Sequence, residues 1–82
     1  MEQREINREK LRTLHLTYGW LIRELQSYGI STDKTEISSA FAGTRKGAKV
    51  DKIIRSTTKI LAEYEDLFLK RTTNGQTNNN DG

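Results

Sequence analysis

Apolar side chains recur along this chain at three- and four-residue intervals, and alternation at every second position is scarce. The pattern therefore predicts helices and no strands. A first helix is expected over Ile6 to Leu14, with Ile6, Leu11 and Leu14 inward and Arg8, Glu9, Lys10 and Arg12 on a solvated face. Thr17 suits the N-cap of a second helix, Tyr18 to Ser27, because its hydroxyl can accept from the free amides of the first turn. Trp20, Leu21 and Leu25 face inward there, with Ile22 at the edge. Gly29 ends the helix and Ile30 tucks under the turn. Asp33 followed by Glu36 resembles a capping box and opens a third helix, Lys34 to Ala42, which Gly43 stops. Ile37, Ala40 and Phe41 fall on one face of it; Lys34, Thr35, Ser38 and Ser39 fall on another. From Val50 onward, Ile53, Ile54, Thr57, Ile60, Leu61, Tyr64, Leu67 and Phe68 keep helical spacing. Ser56-Thr57-Thr58 has poorer helix propensity, so one long helix and two shorter ones both fit. The lack of glycine or proline in the segment favours one. The expected fold is all-α: a compact bundle of four to five helices with a long C-terminal helix.

Residues 72–82 carry no apolar side chain and cannot offset the entropy lost on ordering. They are expected to form a disordered tail, which leaves residues 1–71 as one domain. With 33% hydrophobic and 30% charged residues, that domain has a lean core, and a partner chain would supply missing burial. Cysteine is absent and His15 is the single histidine, so neither a disulfide nor a metal site is expected. His15 is expected at a helix end, near the negative pole of the dipole. There is no glycine-rich phosphate loop and no inward pair of acids, so the inventory argues against an enzyme, and no cofactor is expected. No apolar run approaches the roughly 18 residues of a membrane span, and Met1 to Glu5 lacks the apolar stretch of a secretory signal. A cytoplasmic location away from membranes is the expectation.

A net charge of +3 says little, but its distribution says more. Arg45, Lys46, Lys49, Lys52, Arg55 and Lys59 lie within one short segment against a single acid, Asp51; Glu63, Glu65 and Asp66 follow. Such local charge is what a phosphate-binding surface needs. A helix fits the major groove, whose base edges carry distinct donor and acceptor patterns. Thr35, Ser38 and Ser39 donate or accept, and Lys34 reaches guanine or phosphate. No arginine, asparagine or glutamine stands on that face, so sequence discrimination would draw on the thymine methyl, water and DNA shape. Glu36 either caps the helix or accepts from a cytosine amino group. Tyr18 either touches phosphate or packs, and Trp20 belongs to the core.

Leu16 to Leu25 and Thr35 to Gly43, followed by the basic loop, resemble the lambda repressor and Cro-like (Xre-type) helix-turn-helix family over about Leu11 to Leu61. The resemblance implies that the third helix reads duplex DNA, with Lys34, Thr35, Ser38 and Ser39 at base-contacting positions. It implies backbone contacts from Thr17, Tyr18, Arg45, Lys46 and Lys49, and a transcriptional regulator as the function. The chain departs from the family at Gln26 to Asp33, a turn longer than the usual three or four residues. Leu61, Tyr64, Leu67 and Phe68 are the candidate contact of a homodimer, since two half-sites multiply affinity; the alternative is that they fold back over Ile6 and Leu11. A competing function is a protein-binding module, an inhibitor or antirepressor, that docks another protein through Val50 to Phe68.

Overall fold

Four helices follow one another in the computed structural model: α1 (Gln3–Thr13), α2 (Tyr18–Ser27), α3 (Lys34–Ala42) and α4 (Ala48–Asp81). The structure describes residues 2–81, with side chains from residue 2 to residue 68. The expected tail, residues 72–82, lies outside those side chains. No strand occurs among the described residues, so the fold is all-α. α3 and α4 each pack on the other three helices, and α1 and α2 each pack on that central pair. The core is Leu11, Leu21, Leu25, Ile30, Ile37, Phe41, Ile53, Ile60 and Leu61, with Leu14, Leu16, Tyr18, Trp20, Ile22 and Ile54 against its margin.

The first three helices close in the same way. In α1 the Leu16 amide donates to the Leu11 carbonyl and the His15 amide to Arg12; in α2 the Ile30 amide donates to Leu25 and the Gly29 amide to Gln26. In α3 the Thr44 amide donates to Ser39 and the Gly43 amide to Ala40. This is the Schellman pattern, whose hinge residue sits in the left-handed region. Glycine fills that position at Gly29 (φ 80°) and Gly43 (φ 79°), but the first hinge is His15, at φ 59°. The histidine is thus a helix-end residue, in a conformation that costs a non-glycine residue on the order of 1 kcal/mol.

Helix α1 differs from its expected form in two respects. It begins at Gln3, where Glu2 makes no side-chain cap bond, so no capping residue marks its start in the sequence. Its most deeply buried positions are Leu11 and Asn7, 2% and 1% exposed, whereas Ile6 and Leu14 are only half-buried. Asn7 is tolerated because every polar atom has a partner. Its Nδ2 donates to the Ile54 carbonyl and to Thr58 Oγ1, both at 3.1 Å, and its Oδ1 accepts from Gln3 Nε2 at 2.9 Å.

Helix α4 is continuous through the Ser56-Thr57-Thr58 segment. Thr57 and Thr58 turn their hydroxyls onto the Ile53 and Ile54 carbonyls at 2.7 and 3.0 Å. Bonding to the preceding turn removes the polar cost of burying Thr57. Val50, Ile53, Thr57, Ile60 and Leu61 make the buried face.

Two stability measurements follow. Asn7→Leu strips the α1–α4 contact of its donors and should cost about 1–3 kcal/mol in urea unfolding; a loss under about 0.5 kcal/mol would contradict the anchoring role. His15→Gly removes the left-handed penalty and should gain about 0.5–1 kcal/mol, seen as a higher melting temperature.

Candidate nucleic-acid interface

α3 is defined at both ends by its own residues. Asp33 Oδ1 accepts from the Glu36 amide at 2.8 Å, and Gly43 turns the chain away. A Cβ at Gly43 would stand 2.8 Å from the Arg4 guanidinium, because Arg4 reaches across from α1 to donate to the Phe41 carbonyl at 3.2 Å. Ile37, Ala40 and Phe41 have no exposed surface. Successive residues step about 100° around a helix, so those three occupy one side and Thr35, Ser38, Ser39 and Ala42 the other, while Lys34, nearly in line with Phe41, stands at the open first turn of the helix. Lys34, Thr35, Ser38 and Ala42 are exposed, and Ser39 is half-buried. Ala42 was not among the expected contacts because its methyl carries no hydrogen-bonding signal.

Different elements border the two edges of this face. On the Phe41 side, Tyr18 lays its ring 5.9 Å from that of Phe41, at 33°. Tyr18 is half-buried: it packs against the margin of the core and leaves part of its surface at this edge. Thr17 is exposed, and its hydroxyl caps α2 by accepting from the Trp20 amide at 3.0 Å while keeping its own proton to donate.

Beside Ser39 runs the loop Gly43 to Gly47, held by Glu36. The Glu36 carboxylate does not complete a capping box with Asp33. It accepts from the Thr32 hydroxyl at 2.5 Å and pairs with Lys49 at 3.0 Å and Arg45 at 3.5 Å. The Thr32 hydroxyl first, then the Lys49 ammonium with Arg45 behind it, hold this carboxyl below the usual carboxylate range. Neither expected role for Glu36 foresaw this cluster, whose members come from the turn, α3, the loop and α4. Lys46 is exposed and has no ion-pair partner among the described residues. Further along α4, Lys59 lies 5.9 Å from the Tyr28 ring centre. Lys49 and Lys59 thus bound the side of α4 nearest the long turn 28–33, with Lys52 and Arg55 exposed between them.

The expected dimer residues divide. Leu61 has no exposed surface and sits in the chain's own core, which corrects its assignment to a partner contact. Tyr64 is half-buried and meets Trp20 edge-on at 5.5 Å. Leu67 and Phe68 are exposed, at 63% and 52%. The fold-back alternative is met for Leu61, which shares the core with Leu11; one turn further on, Lys10 of α1 pairs with Glu65 at 3.0 Å.

Among the described residues there is no cluster able to hold a metal ion and no helix long and apolar enough to cross a membrane. No family model, curated protein or solved structure matches the chain.

The Glu36 cluster gives a pH signature. A carboxyl whose folded-state pKa is depressed contributes stability that is present above its unfolded value and lost as pH falls through the folded one. The melting temperature of the wild type should exceed that of Glu36→Gln at neutral pH. The gap should close below roughly pH 4, the ordinary carboxylate range.

Proposed function

We propose that the chain binds duplex DNA as a small transcriptional regulator of the lambda repressor and Cro-like kind, acting in the cytoplasm without enzymatic activity or a cofactor. The observation that carries this reading is the exposed face of α3, with the first turn of α2 along one edge and a cationic loop along the other. A helix presented this way enters the major groove while flanking groups meet phosphates on either side. Thr35, Ser38 and Ala42 stand at the middle of the face, with Lys34 and Ser39 toward its margins. Arg45, Lys46 and Lys49 provide sequence-independent attraction. Lys46 contributes most freely, since Arg45 and Lys49 share Glu36. With no bidentate donor to guanine or adenine on the face, discrimination rests on methyl contacts, water and DNA shape.

In the same proposal the regulator works as a homodimer, joined through Leu67 and Phe68. A second reading takes those same exposed side chains, with Tyr28 nearby at 38% exposure, as the docking face of a protein-binding module. Selection of bound sites from random duplexes separates the two: a regulator yields a consensus, two-fold symmetric for a dimer, and a protein-binding module yields none.

The mutational test uses exposed positions. Thr35→Glu with Ser38→Glu should leave helical content unchanged and abolish preference for the selected site in a gel shift. Lys46→Glu should weaken binding to every sequence alike and lower the salt-dependence slope by about one unit. Site preference that survives the double substitution would mean that α3 is not the reading helix.

A further inference from the structure

Glu36 is the single acid in α3, and it sits at the edge of the face assigned to DNA. Its side chain is 16% exposed, yet it remains ionised between two cations and a hydroxyl donor. Arg45 and Lys49 keep about half of their side-chain surface, 50% and 53%. Each cation has donors beyond those that Glu36 takes, so both can still meet phosphate. The trio carries one net positive charge where the two cations alone would carry two.

We propose that Glu36 is an internal competitor for DNA phosphate, which aims Arg45 and Lys49 along the edge of α3 while cancelling one unit of their charge. This rests on the DNA-binding reading and adds to it the residue that sets the strength of sequence-independent attraction. An exposed carboxylate would merely repel the duplex. A nearly covered one, already hydrogen-bonded to Thr32, restrains the loop whether or not DNA is present. Binding then involves a partial exchange in which phosphate oxygens replace carboxylate oxygens at the two cations. The ion pairs are partly exposed, and pairs of this kind are weak enough for the exchange to proceed.

The test is a salt titration of binding to a short random-sequence duplex, with thermal unfolding to show that each variant is folded. Glu36→Gln keeps the acceptor for Thr32 and removes the charge. It should bind several-fold more tightly at moderate salt, with a log–log salt slope steeper by about one unit. Lys49→Gln in the wild-type background leaves Glu36 against Arg45 alone, so the trio falls from one net positive charge to none and the slope should drop by about one unit, as it does for Lys46→Gln. In the Glu36→Gln, Lys49→Gln double variant the trio again carries one net positive charge, and the slope should return to the wild-type value.

Unchanged or weaker binding by Glu36→Gln overturns the proposal, as does a double variant whose slope differs from that of the wild type. Lys46-dependent binding that ignores Glu36 removes this proposal alone. Wild-type protein that shows no salt-dependent duplex binding removes the DNA reading and this proposal with it.

Discussion

A helix of nine residues does not persist in water through its own hydrogen bonds, so α3 exists because Ile37, Ala40 and Phe41 are buried without remainder. Everything proposed for the outer face depends on that inner one. The three anchors fix the rotation of the helix about its axis, the Asp33 cap and the Gly43 corner fix its length, and Arg4 ties its last turn to α1. With rotation, length and end all determined, Thr35, Ser38 and Ala42 have nowhere to point but outward. The α3–α4 pair forms the centre of the bundle, and α1 and α2 flank it.

The boundaries of α2 and α3 were readable because both carry their signals locally. Thr17 and Asp33 bind amides three residues on, and Gly29 and Gly43 adopt positive φ at the ends. The start of α1 has no such marker, and its inner face was legible only in part: Leu11 and Leu14 lie at the core as expected, but a search for apolar positions passes over Asn7. The partners that make Asn7 a core residue, Ile54 and Thr58, lie in another helix and leave no trace in its own surroundings. The same holds for Glu36, whose place at Asp33 plus three suggested a capping box while its true partners were Thr32, Arg45 and Lys49. Leu61 shows the limit of counting rows along α4. Helical spacing identifies a stripe, but where the stripe stops facing the chain's own core depends on how far α1 and α2 extend beside it.

On the surface, charge and shape do not coincide. The positive side chains collect along the loop and one side of α4, whereas the α3 face itself is nearly neutral, with Lys34 as its one cation. A surface divided in this way separates attraction from discrimination: the loop and α4 act on any phosphate chain, and α3 meets what lies between phosphates. Glu36 stands at the boundary between the two, bonded to both. The charged rim is therefore tied to α3 through this carboxylate as well as through the packing of α4 on the core.

The Arg4 contact with the Phe41 carbonyl also bears on how the molecule opens. Local unfolding proceeds in cooperative units rather than residue by residue, and this contact places the first turn of α1 in the same unit as the Gly43 corner. Fraying at the start of α1 removes the partner of an α3 carbonyl and frees the space beside Gly43. The amides of Glu5 and Ile6, bonded to Glu2, and of Thr44, bonded to Ser39, distant in the chain, should then exchange with solvent in one opening. A ligand gripping the loop slows that exchange at both places together.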